Sequence, residues 1–136
     1  MASSLINAFY IFNQAGTLIF HHQLGNPREI DPKLISAFLS SINSWAKMYS
    51  NTGLSLFQTG SERFLFERSI YSTDLVFCIS ATNDHVESDL TEKITLVKQY
   101  FIHHFWEDRE KLESGVIPES IDKFKVILND YLKKKG

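Results

Sequence analysis

The sequence holds a single cysteine, Cys78, so no disulfide can close within the chain. Small secreted domains commonly depend on such cross-links, and a reducing, cytoplasmic location is therefore expected. The N-terminus lacks a basic region leading into a long apolar run and a small-residue cleavage site. No stretch approaches the ~20 apolar residues that cross a bilayer, so membrane contact is expected to be peripheral at most. A surplus of positive charge is missing as well. Fourteen Lys and Arg against 16 Asp and Glu give a formal charge of -2, which disfavours binding a nucleic-acid backbone. No G-x-S-x-G, G-x-G-x-x-G or H-E-x-x-H pattern occurs, and no spaced carboxylate pair stands out. Neither an enzyme nor a bound cofactor or metal is expected.

Material for a core is plentiful. Hydrophobic residues make up 43% of the 136 positions, aromatics 13%, and 11 residues are Phe. That suits one domain over residues 1–136 and excludes intrinsic disorder, which needs low apolar content and high net charge. Leu5–Asn13 and Leu75–Ala81 are almost continuously apolar and read as strands covered on both faces. Thr17–Leu24 alternates and returns from the Asn13–Gly16 turn as a hairpin. Leu54–Thr59 and Arg63–Ile70 alternate too, joined by a turn that ends at Glu62. Arg63, Glu67, Arg68 and Glu62 read as solvated charges.

Two long helices are expected. Asp31-Pro32 opens the first, with an Asp cap and Pro where no amide is needed. Leu34, Ile35, Phe38, Leu39, Ile42, Trp45, Ala46 and Tyr49 follow at helical spacing and read as its inner face. The second begins at Asp84, with Val86, Leu90, Ile94, Val97, Phe101 and Phe105 inward and Ser114-Gly115 at its end. A closing helix carries Ile121, Phe124, Leu128 and Tyr131. The order β-β-α-β-β-β-α-α, with the first and fifth strands central, predicts a five-stranded antiparallel-type sheet between helical layers, an α/β (α+β) sandwich.

This order, with "FYIFNQAGTLIFHHQL" (Phe9–Leu24), "DLVFCISATNDHVESDLTEKI" (Asp74–Ile94) and "IDKFKVILNDYL" (Ile121–Leu132), resembles the longin-domain family and its longin/profilin-like fold. Within that family the chain is most similar to the longin domain of the signal-recognition-particle receptor alpha subunit. Adaptor small subunits and tethering-complex longins are more distant. The resemblance implies a non-enzymatic module of membrane-traffic machinery. Its partners would be a small Ras-like GTPase, another longin or roadblock domain, or a second copy of itself. No G-x-x-x-x-G-K-[ST] loop accompanies it, so a free-standing module is expected.

The first helix offers a second stripe. Ser36, Ser40, Asn43, Lys47 and Ser50 are small or weakly charged, and they read as an exposed face that another backbone can approach closely. Leu54–Gln58 reads as an adjacent edge strand with free backbone groups. Ser36, Ser40, Asn43, Lys47, Leu54 and Phe57 are therefore the expected protein-binding residues. An alternative is a small-molecule sensor of the PAS or GAF kind, which would need a sizeable apolar pocket beside the sheet. Cys78 reads as a core thiol. His21 and His22 point to opposite faces of a strand, and His103, His104 and Glu107 read as a surface helix rather than a metal site.

Overall fold

The computed structural model describes residues 6–13, 16–24, 31–49, 55–68, 75–82 and 87–135. Its five strands are β1 (Ile6–Phe12), β2 (Leu18–Gln23), β3 (Leu56–Gln58), β4 (Glu62–Arg68) and β5 (Val76–Thr82). They form one sheet in the order β2-β1-β5-β4-β3, with every neighbouring pair antiparallel. The two greasy runs are the adjacent β1 and β5, nearly buried throughout, as their unbroken apolar sequence requires. β3 is one edge and β2 the other.

α1 (Pro32–Lys47) covers one face of this sheet, where Ala8, Tyr10, Phe12, Phe64, Phe66, Val76 and Cys78 meet Leu39. α2 (Glu87–His104), α3 (Arg109–Glu113) and α4 (Lys123–Lys135) cover the other. Leu90, Ile94, Val97 and Phe101 of α2 form the expected inward stripe. The cap expected at Asp84, and Val86 with it, lie outside the described residues. α2 stops ten residues before the expected Ser114-Gly115 break. Phe105 leaves helical geometry, and a 3-10 turn at Trp106–Asp108 leads into α3.

Two irregularities adjust the sheet. Ile11 pairs with Phe20 but Phe12 with Leu18, so Ile19 is an extra residue opposite the β1 end. This bulge puts Ile19 and Phe20 together in the core under α2 instead of on opposite faces. A second shift lies between Ile6 and Ala8, around Asn7. There Asn7 Nδ2 donates to Glu62 Oε2 at 3.0 Å, and Ser80 Oγ donates to the same oxygen. Glu62 is thereby buried, contrary to its reading as a solvated charge. Glu67 and Arg68 are also engaged: Lys98 Nζ lies 2.8 Å from Glu67 Oε1, and Arg68 reaches α1.

Candidate protein-interaction surface

α1 begins as its sequence dictates. Asp31 Oδ1 accepts from the Lys33 amide at 2.9 Å, satisfying one of the free donors of the first turn. The helix is rotated relative to the expectation: Leu39 and, in part, Ile35 of the expected inner face do meet the sheet, but the rest of that face does not. Ser36, Ser40 and Asn43 face the sheet with 0%, 6% and 4% exposure, while Leu34, Phe38, Trp45, Met48 and Tyr49 point outward. Lys47 is half-buried, and Ser50 and Leu54 lie outside the described residues. Small side chains do allow a close backbone approach, but the backbone is the chain's own. Gly16, at φ +88°, lies so near that a Cβ there would sit 3.3 Å from Ser40 Cβ, and Ser36 Oγ donates to Gly16 O at 3.4 Å.

The sheet explains the rest of this rotation. Beneath α1 it presents Tyr10, Phe12, Phe64 and Phe66, whose rings fill the interlayer space and leave room for short side chains above them. The Asn43 side-chain oxygen brought inside is answered: Arg68 Nη2 donates to Asn43 Oδ1. Burial lowers the Arg68 pKa below the ordinary guanidinium value. Ser36, Ser40 and Asn43 thus hold the fold, and they are corrected as partner-facing residues.

What faces solvent is the apolar side. Trp45 is 59% exposed, Met48 81% and Leu34 64%, and the Trp45 and Tyr49 rings stack edge-on at 5.0 Å. The exposed positions between Leu34 and Trp45 are Ala37, Phe38, Ser41 and Ser44, none of them charged. Aromatic side chains carry ~150–250 Å² each, so the exposed parts of Phe38, Trp45 and Tyr49 alone amount to a few hundred Å², the size at which an apolar patch is often functional. Beside its N-terminal half runs a groove of about 270 Å³, lined by Leu34, Ile35, Phe38 and Leu39 of α1 and Phe57, Thr59, Glu62 and Phe64 of the β3–β4 hairpin. Phe57, the remaining expected site residue, joins it: its ring lies 6.0 Å from both Phe38 and Phe64. The signal for this surface was present in the sequence, in Leu34, Phe38, Trp45 and Tyr49 at helical spacing, but these four read as core.

The other candidate groups are structural. Cys78 is fully buried, and burial pushes its thiol well above the ordinary value. His21 stacks on Tyr10 at 5.0 Å, and His22 Nε2 lies 2.8 Å from Asn129 Oδ1. His103 and His104 are exposed, and among the described residues no three His, Cys, Asp or Glu side chains gather as metal ligands. A larger depression of about 980 Å³ runs along the end of α2, lined by Lys98, Ile102, His103, Trp106 and Glu107 among others. No described sheet residue lines it. Between the sheet and α2, where a sensor would hold its ligand, Phe20, Phe77, Phe101, Phe105 and Phe124 fill the space with ring contacts. No described helix is long and apolar enough to cross a membrane.

No protein-family model and no curated protein matches the chain. Solved structures do. A roadblock/LC7 domain from Streptomyces avermitilis superposes with a TM-score of 0.53 over 71% of this chain and 86% of that one, at 14% identity. Myxococcus xanthus MglB superposes with a TM-score of 0.57 over 75% of this chain and 85% of that one, at 11% identity. The fold is therefore the roadblock/longin-like one, with its five-stranded antiparallel sheet between helical layers. The narrower likeness to the signal-recognition-particle receptor domain is not carried by these structures.

Proposed function

We propose that this chain is a non-enzymatic adaptor or regulatory subunit for a small Ras-like GTPase in a membrane-traffic type of complex. It would work with a second longin or roadblock domain, or with a second copy of itself. One observation carries the reading: α1 buries its polar side and leaves an uncharged aromatic face in water beside an edge strand. Such a face costs solubility unless a partner covers it. The likeness in fold to roadblock/LC7 and MglB structures supports the same reading, as does the longin resemblance of the sequence. The mechanism is surface complementarity. A module that binds one arrangement of the GTPase switch segments better than another shifts their population by that difference in affinity. It would promote nucleotide exchange only by binding the nucleotide-free form better.

Affinity capture from lysate in the presence of GTP or GDP, with mass spectrometry of the bound fraction, tests this. Retention of a Ras-like GTPase in one nucleotide state is expected. Retention that ignores the nucleotide, or no GTPase at all, overturns the reading.

A further inference from the structure

We infer that the outward face of α4 docks on an anionic lipid surface, with Val126 and Ile127 entering the headgroup layer and lysines of the same helix meeting the lipid charges. α4 lies on the opposite side of the sheet from α1, so the inference does not rest on the reading given to that helix.

Charge is divided unevenly along the chain. α4 has the sequence KFKVILNDYLKKK, with five lysines and a single carboxylate, Asp130. Five Lys against one Asp give the helix a formal +4, and nine Lys and Arg against 15 Asp and Glu give the remainder -6. Phe124, Leu128 and Tyr131 are buried against the core, which fixes the side that faces out. On that side Lys123, Val126, Ile127 and Asp130 are exposed, Val126 to 62%. The helical period continues this row to positions 133 and 134, both lysine. Branched aliphatic side chains among lysines suit the interface of an anionic bilayer, where apolar burial and attraction to lipid charge add.

The apolar pair decides between polyanions. A nucleic-acid backbone answers the lysines but offers nothing to Val126 and Ile127, whereas a bilayer takes both. Tyr100 of α2 points the same way: its ring packs on Tyr131 at 5.6 Å and remains 45% exposed beside α4. A ring with a polar tip fits the headgroup layer at the flank of such a helix. The negative remainder of the chain is repelled by the same lipid, which favours seating through α4 and turns α1 away from the bilayer. Contact stays at the surface, because no described helix is long and apolar enough to cross.

Sedimentation of the purified full chain with phosphatidylcholine vesicles containing about one-third phosphatidylserine tests this, with pure phosphatidylcholine as the control. Binding is expected to the mixed vesicles alone and to fall as salt is raised. A lysine near such a surface contributes about fivefold in affinity, so Lys133→Ser combined with Lys134→Ser should weaken binding at least tenfold. Asp130→Lys should strengthen it at least about fivefold, a gain that a misfolded chain would not give. Val126→Ser, with circular dichroism unchanged, should weaken it about threefold or more. Absence of binding, equal binding to both kinds of vesicle, or an affinity unmoved by Asp130→Lys or Val126→Ser overturns the inference. So does single-stranded RNA bound at the same salt as tightly as the mixed vesicles. No GTPase is present in this assay, so its failure leaves the proposed adaptor function standing, and a chain that binds these vesicles but captures no GTPase refutes that function alone.

Discussion

The guanidinium of Arg68, at the end of β4, donates through Nη2 to Oδ1 of Asn43 on the inner side of α1. This contact joins the sheet to a helix that turns its polar side inward. Burying polar side chains over an aromatic sheet face is tolerable when hydrogen bonds replace those lost to water. Asn43 and Arg68 do that at one end of the helix, and Ser36 with the Gly16 carbonyl does so nearer its start.

Asn43→Leu should therefore destabilise the fold even though it adds apolar surface. It removes a hydrogen bond to a charged group and leaves the guanidinium without that acceptor, a loss of about 2 kcal/mol. Urea unfolding monitored by circular dichroism measures it. A variant as stable as the parent would show that the contact contributes nothing.

The glycines separate conformation from crowding. Gly16 and Gly115 both have positive φ, +88° and +86°, but only Gly16 lies close enough for an added Cβ to press on Ser40, at 3.3 Å. Gly115→Ala would make ordinary contacts of 3.6 Å and beyond, and nothing lies within 4 Å of a Cβ at Gly60. The left-handed conformation costs about 1–2 kcal/mol for a residue with a Cβ. Thermal unfolding should rank the alanine variants Gly60, Gly115, Gly16 from neutral to most destabilised. Equal losses at Gly16 and Gly115 would remove the crowding by Ser40.

Much of this fold was legible because its signals are local. Continuous apolar runs marked β1 and β5 as central, and alternation put Phe64 and Phe66 opposite Leu65. Helical spacing found the inward stripe of α2 from Leu90 to Phe101. The features that escaped depend on distant partners. Glu62 looks like a turn charge until Asn7, 55 residues away, and Ser80, 18 away, are brought against it. Periodicity also divides α1 into two faces without saying which one the sheet takes. The rule that the apolar face turns inward holds here only for Leu39 and, in part, Ile35, because Tyr10, Phe12, Phe64 and Phe66 already occupy much of the space beneath the helix. Ser36, Ser40 and Asn43, expected to face outward, lie on the sheet side of α1.

Alkaline pH should weaken the fold through two groups. Burial raises the Cys78 thiol well above its ordinary value. Tyr131 is raised first by burial, then by the charges of Glu92, Tyr100 and Asp89. Each group holds its proton in the folded state after the unfolded chain has lost it. The unfolded state then binds fewer protons, and stability falls as pH rises. The stabilisation is complete below the unfolded values, near 8.5 for a thiol and about 10 for a phenol, and is lost above them. Urea midpoints from pH 7 to 10.5 should decline, and less steeply in Cys78→Ala. Parallel declines would discard the thiol as a cause.

The orientation of α1 yields the sharpest pair of substitutions. If Ser40 faces the sheet, Ser40→Leu forces three additional carbons against Gly16 and the aromatic layer. Overpacking of that kind costs about 1–3 kcal/mol. If Trp45 faces water, Trp45→Ser should change the stability of a single chain by no more than about 0.5 kcal/mol. Dimerisation would add a concentration-dependent term, so both variants are compared at dilutions where the chains are monomeric. The opposite helix orientation predicts the reverse ranking: leucine at position 40 would be harmless on the surface, and loss of a core tryptophan would cost about 3–5 kcal/mol. Two urea titrations thus decide which side of α1 is free to meet a partner.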